Sequence, residues 1–258
     1  MAESIIAVIP IRGSDEEFRD GPMPRLGERP LIEYTLLAAR ESRRLDRIIV
    51  STDREPIAQA CRAYGVDAPF LRPPRLSAPS ASGTDVLRHA VEWLESQEGY
   101  RADWVVKLEI THPFRPKGLI DWVIDTTLAQ GVDSAVLVYE DAHSYWTIGE
   151  DGQPQRIGHE VEVPRHLRRG FYRDLSGLVT MTRAENLRAG RLFGNRVGLI
   201  PWRDPFALVD THERGGASQQ EAVGRRLAEL LAPEFNRSRD WNDLTAEGRR
   251  GPERAQEG

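Results

Sequence analysis

Cysteine is nearly absent from this chain. Cys61 stands alone among 258 residues, which excludes a disulfide framework and any cysteine-built metal cluster. Excess positive charge is missing too. The 35 Lys and Arg against 40 Asp and Glu leave a formal net charge of −5, so there is no basic footprint for nucleic acid, and any polyanion must be held locally. No apolar run reaches membrane-spanning length, and the opening MAESII lacks a signal-peptide pattern; the expectation is a soluble, cytoplasmic protein. The turn after the first apolar run carries no G-x-G-x-x-G, a Walker Lys-Ser/Thr pair is missing, and no Asp-x-Asp ends a central strand. These absences speak against a dinucleotide oxidoreductase and a glycosyltransferase of related fold. No internal repeat is visible. The hydrophobic share of 40% is still enough for a core, and the length fits one large α/β domain or a domain with an appendage.

What is present is organised around residues 5–32. The apolar run at 5–11 reads as a buried parallel strand. It turns polar at Arg12-Gly13-Ser14, and Arg19, Arg25 and Arg29 follow before an amphipathic helix begins near Pro30. A strand feeding a basic loop and then a helix is how a doubly wound sheet builds a phosphate site, from backbone N–H groups and guanidinium groups. The alternation then repeats. Helices are predicted over 31–43, 55–64, 83–98 and 118–130, and strands over 46–51, 104–110 and 134–139, with 66–71 extended. This pattern predicts a mainly parallel sheet with helices on both faces.

The pattern breaks at Glu140. Residues 141–175 carry Tyr145-Trp146, a turn at Asp151-Gly152, prolines and the arginines 165, 168, 169 and 173, which reads as hairpin and loop. This is either a protruding arm whose aromatics pack on a second subunit or a bulky active-site flap. Beyond it, 178–181 reads as a strand, Thr182 as the cap of a short helix to 188, 196–201 as a strand and 216–232 as the last helix. From residue 233 apolar residues thin out, and a disordered tail is expected after a 1–232 domain.

Several blocks together resemble the acylneuraminate cytidylyltransferases and the related octulosonate cytidylyltransferases. They are Ile9-Pro10-Ile11-Arg12-Gly13-Ser14, Leu26-Gly27-Glu28-Arg29-Pro30, Ile49-Val50-Ser51-Thr52-Asp53, Pro69-Phe70-Leu71-Arg72-Pro73 and Ser80-Ala81-Ser82 with Asp85. Further on come Thr111-His112-Pro113-Phe114-Arg115, Tyr172-Arg173, Gly190-Arg191-Leu192-Phe193-Gly194 and Val209-Asp210-Thr211, all in family order. The resemblance implies a Rossmann-like three-layer αβα nucleotidyltransferase with a small dimerisation arm at about 140–176, working as a homodimer. It implies that CTP and a small acidic acceptor bind, that CMP is transferred and pyrophosphate released, and that Mg²⁺ assists. Such chemistry relies on positioning and on neutralising phosphate charge.

Carried over residue by residue, the resemblance puts Pro10, Ile11, Arg12, Gly13 and Ser14 at the nucleotide, with Arg72 and Ser82 at the cytidine. Ser82 also fits a helix N-cap. Arg165, Tyr172 and Arg173 would face the acceptor with Glu109, Thr111, His112 and Ser176, and Asp210 would hold the metal. The departures are specific. The family's Arg-Gly-Gly-Ser-Lys loop loses a glycine, and Asp15 replaces its lysine, so Arg19 or Arg25 would restore the catalytic cation. Of two metal aspartates, one position is Leu208; Asp15, Glu16 or Asp20 is the expected substitute. The acceptor-side glutamine is Glu109, an added carboxylate that is unfavourable unless paired. These changes point to an altered acceptor, either another nonulosonic acid or a non-sugar acid such as a phosphonate. A relative that keeps the nucleotide fold without catalysis is the competing reading.

Overall fold

The computed structural model describes residues 3–13, 24–26, 29–141, 143–158, 170–204 and 209–211. Ser14, Arg19, Arg165, the acidic trio Asp15, Glu16 and Asp20, the helix expected at 216–232 and the tail from 233 lie outside the described residues.

The first strand, β1 (Ile5–Ile11), is buried along almost its whole length. Its side chains alternate between two cores. Ile5, Ala7, Ile9 and Ile11 join one cluster, and Ile6 and Val8 the other. A strand buried on both faces needs helices above and below, and its unbroken apolar run is the sequence mark of that position. Parallel partners flank it: β4 (Arg47–Thr52) on one side and β5 (Trp104–Lys107) on the other.

The central sheet has seven strands. From one edge the order is β11 (Val197–Pro201), β6 (Ser134–Asp141), β10 (Thr180–Arg183), β5, β1, β4, with β9 (Phe171–Asp174) also paired to β6. β4, β1, β5, β6 and β11 run parallel, whereas β10 and β9 are antiparallel to their neighbours. Residues of α1 (Leu31–Glu41), α2 (Glu55–Ala63) and α4 (Leu119–Gln130) pack in the first cluster, and those of α3 (Gly83–Glu98) and α5 (Ala184–Arg188) in the second. The result is the expected three-layer αβα architecture around a mostly parallel sheet. Each large aliphatic side chain so buried contributes about 1.5–3 kcal/mol relative to exposure.

The helix at 83–98 and the strand start at 104 fall where the spacing puts them. α3 begins with Ser82 as its N-cap, whose Oγ accepts from Asp85 N at 3.1 Å, and ends at Gly99 in the left-handed region (φ 65°). Two expectations need correction. The strand expected at 178–181 is shifted to 180–183, and it runs antiparallel between β5 and β6. Thr182 therefore lies in that strand and does not cap α5. Its Oγ1 accepts from Asn186 Nδ2 at 3.2 Å, and Arg183 occupies the N-cap position.

The described residues beyond β6 form a hairpin and a further strand. β6 runs on to Asp141, where β9 pairs beside it, and β7 (Tyr145–Ile148) and β8 (Pro154–Ile157) form a separate hairpin. Its turn includes Gly152 at φ 76°. Tyr145 packs edge-on against Phe171 with ring centroids 5.4 Å apart, which ties the hairpin to β9. No helix among the described residues is long and apolar enough to cross a membrane.

Candidate active site

In an open parallel sheet, ligands bind beyond the carboxyl ends of the strands, where the chain switches from building one side to building the other. Here that point lies between β1 and β5, since β4 was added on one flank of β1 and β5 later on the other. Two polar constellations border it.

The first is the bend leaving β1. Gly13 N donates to Asp53 Oδ1 at 2.8 Å, and Arg54 Nη1 donates to Gly13 O at 2.9 Å, so the residues after β4 hold both backbone polar groups of this one residue. The Arg54 side chain lies where a Cβ on Gly13 would be, which explains glycine there. Arg72 is buried. Its Nη2 donates to Ile11 O at 3.1 Å and its Nε to Ser77 Oγ at 3.2 Å, while its own N–H reaches Thr52 O at 2.7 Å. Pro10, Ile11, Arg12, Gly13 and Arg72 are thus brought together at one strand end, with Arg12 part-exposed. Arg25, on the short β2 (Arg25–Leu26) paired with β3 (Arg29–Pro30), is exposed.

The second is a cleft of about 430 Å³ lined by Lys107, Glu109, His112, Arg173, Ser176 and Asp210, with the start of α3 (Gly83, Thr84) at its border. The loop after β5 is clamped by Arg115, which is buried at 3% exposure. Its guanidinium donates to the carbonyls of Leu178 (2.7 Å), Gly177 (2.8 Å), His112 (2.5 Å) and Glu109 (2.5 Å) and to Thr35 Oγ1 (2.8 Å). Burial pulls its pKa down to about 9, which still leaves it a cation at neutral pH. Thr111 is buried behind the cleft wall, its carbonyl accepting from Thr211 N at 2.8 Å, which fastens Asp210 against this loop.

Glu109 is paired after all. Lys107 Nζ lies 2.6 Å from its Oε1. Burial pushes the carboxyl up, but Lys107, joined by His112 and Arg115, outweighs it and holds Glu109 below the usual carboxylate range. His112 is buried, with Nδ1 3.2 Å from Thr111 Oγ1. Burial keeps its pKa below the usual value against the opposing pull of Asp210 and Glu109, so the ring is uncharged at neutral pH. Gly177 makes this crowding possible: a Cβ there would stand 2.4 Å from the His112 ring and 2.7 Å from Glu109 Oε2.

Of the residues expected at the acceptor, Glu109, His112, Arg173 and Ser176 share the cleft; Thr111 backs it, and Tyr172 is 48% exposed on β9 and does not line it. Ser82 is held by its cap, its Oγ also 2.7 Å from Asp85 Oδ2. Among the described residues no group of three or more His, Cys, Asp or Glu is arranged to hold a metal ion. Asp210 lines the cleft together with Glu109 and Asp174, and a carboxylate there would hold Mg²⁺ only with phosphate oxygens and water completing its octahedron. Sequence reasoning missed Lys107, Arg115, Asp53, Arg54 and Gly177 as site-builders. A Lys inside the run WVVKLEI was the available signal for the first, because a cation in a buried strand needs a reason.

A family model described as cytidylyltransferase matches residues 6–177. Among curated proteins, the chain is 33% identical over 115 residues to an N-acylneuraminate cytidylyltransferase of Escherichia coli, covering 45% of this chain and 26% of that protein. It is 35% identical over 116 residues to a pseudaminic acid cytidylyltransferase of Campylobacter jejuni, covering 45% and 49%. In these matches the chain spans about half the relative's length or less. Among solved structures, a CMP:2-keto-3-deoxy-manno-octonic acid synthetase complexed with CTP superposes with a TM-score of 0.61 at 14% identity, over 90% of this chain and 100% of that one. A 4-diphosphocytidyl-2C-methyl-D-erythritol synthase from Anaerococcus prevotii gives 0.56 at 12%, over 90% and 99%. At such identities the likeness speaks for the fold.

Proposed function

Since this chain belongs to the cytidylyltransferase family, we propose that it transfers CMP from CTP to a sugar-acid acceptor and releases pyrophosphate. An acceptor hydroxyl oxygen forms the new bond to the α-phosphorus. The bond from that phosphorus to the bridging oxygen of the β-phosphate breaks, and the hydroxyl proton passes to solvent or a nearby base. The observation that carries the reading is the adjacency of two unlike constellations at one strand edge. The bend at 11–13 sets Arg12, a cation suited to phosphates, beside the Arg72-anchored end of β1. The cleft beyond β5 offers Arg173 to an acid group and mixed donors and acceptors to hydroxyls. Holding both substrates at one edge converts a bimolecular attack into an intramolecular one. Mg²⁺ held by Asp210 would neutralise charge on the phosphates; the remaining catalysis is positioning by this chain's own residues. In this reading Ser14 and Arg19 add to the phosphate grip.

The arm serves a homodimer. Trp146 and Ile148 are 63% and 68% exposed on the hairpin, and Tyr172 is also exposed, on β9. Sedimentation should give twice the chain mass for the wild type and a lighter species for W146D/I148D; a monomeric wild type would defeat the assignment.

The activity is tested by pyrophosphate release from CTP and Mg²⁺ with N-acetylneuraminate, pseudaminate and 3-deoxy-manno-octulosonate as acceptors, and with UTP as the control nucleotide. Release with CTP and at least one acid, abolished by chelation, is expected. Tight CTP binding with no turnover on any acid would favour a non-catalytic relative.

A further inference from the structure

Lys107 occupies a costly position. It lies on β5 between Val8 of β1 and Thr180 of β10, and it is only 9% exposed. A buried ammonium is expensive unless it is paired and hydrogen-bonded, and replacing a buried ion pair by well-packed neutral residues is often neutral or stabilising. Stability alone therefore does not require this pair.

Its hydrogen-bond inventory is incomplete. Lysine has three donors, and a carboxylate has lone pairs on both oxygens. One contact, Nζ to Glu109 Oε1, joins the two side chains. Among the described residues, nothing else in the protein bonds Lys107 Nζ or Glu109 Oε2, and both residues line the cleft. The carboxylate is also fixed in place. Glu109 N donates to Gly177 O at 2.9 Å, its carbonyl is held by Arg115, and Oε2 rests against the bare Cα of Gly177. The pair presents a rigid ammonium donor beside a rigid carboxylate acceptor.

Hydroxyls match that pattern, because each one donates and accepts. A ligand carboxylate does not match it, because Glu109 repels it; the acid group belongs toward Arg173, which lines the same cleft. We infer that the Lys107–Glu109 pair determines acceptor specificity by binding neighbouring hydroxyls of a polyhydroxylated acid, with Lys107 also fixing the orientation of Glu109. The word acceptor rests on the transfer reading above, whereas binding of such an acid does not.

The test compares K107M, E109Q and K107M/E109Q with the wild type. The readouts are Tm, KM for CTP, KM for the acid, and calorimetric binding of N-acetylneuraminate, pseudaminate and 3-deoxy-manno-octulosonate in the presence of CTP. Each single variant strands a partner and should lower Tm, and the double variant should recover to within about 2 °C of wild type. Acid KM should nevertheless stay raised by about tenfold or more in the double variant, with CTP KM within about twofold. If acid KM recovers together with Tm, the pair is merely structural and the inference is overturned. A wild type that binds an acid without turning it over would remove the transfer reading, and loss of that binding in the double variant would still support the pair. A wild type that binds none of the three acids overturns the inference.

Discussion

Replacing Arg115 by lysine keeps a positive charge in the core and removes the guanidinium fork, which makes it the sharpest probe of how the cleft is held. The native side chain satisfies four carbonyls and one hydroxyl drawn from the loop after β5, the turn at 177–178 and α1. An ammonium has three donors, so at least two of those five acceptors lose their partner. A buried acceptor left unsatisfied costs about 1–3 kcal/mol, so R115K should destabilise by about 2–5 kcal/mol after partial relaxation. For a domain of this size each kcal/mol lowers Tm by about 2–4 °C, which gives a drop of about 4–20 °C. Calorimetry would read this directly, with urea unfolding as the reversible check. The loop carrying Glu109 and His112 is what the clamp holds, so acid binding should weaken more than CTP binding. A variant with Tm within about 2 °C of wild type and unaltered acid binding would refute the clamp.

Three further perturbations follow from the same geometry. G177A puts a methyl group against the His112 ring and Glu109 Oε2, and initial-rate kinetics should show acid KM raised about tenfold or more with CTP KM little changed; equal effects on both substrates would contradict this. D53A removes the acceptor that fixes Gly13 N; a bond of that charged kind contributes about 1.5–3 kcal/mol, so CTP titration should show about 10- to 150-fold weaker binding, and an unchanged Kd would mean the bend is not the nucleotide's support. In the arm, the Tyr145 hydroxyl bond, opposed by burial and aided by His143, pushes Asp141 down to about 2. Its folded pKa lies below the unfolded value of about 3.9, so its stabilisation is full above that value and is lost as pH falls toward 2. Trp146 fluorescence should report the arm loosening over that interval in the wild type and a flat response in D141N; matching profiles would rule out this linkage.

The layers were legible in the sequence because helical and strand periods are local properties. The unbroken apolar run of Ile5 to Ile11 as a buried strand, and the cap at Ser82, needed no tertiary information. β10 was harder, since nothing in Thr180–Arg183 records that it runs antiparallel between two parallel strands. Thr182 misled for a related reason: a threonine before a short helix looks like a cap until the strand claims it. The site divided in the same way. Arg12, Gly13, Arg72 and His112 stood in recognisable blocks, as did Asp53 and Arg115, and Glu109 stood out as a departure from one. What Asp53, Arg115 and Gly177 do, however, rests on contacts across long stretches of chain, such as Arg115 to Leu178, and such contacts leave no period or motif. Glu109 looked electrostatically wrong because its partner, Lys107, was read as an ordinary strand residue.

The central claim is that the bend leaving β1 holds the nucleotide's triphosphate. A crystal structure of the protein with CTP and Mg²⁺ tests it most directly. The account predicts phosphate density against Arg12 and Gly13, the cytosine toward Arg72 and Ser82, and the Lys107–Glu109 cleft left open for the acid. Density for the triphosphate inside that cleft, or on another face of the sheet, would contradict it.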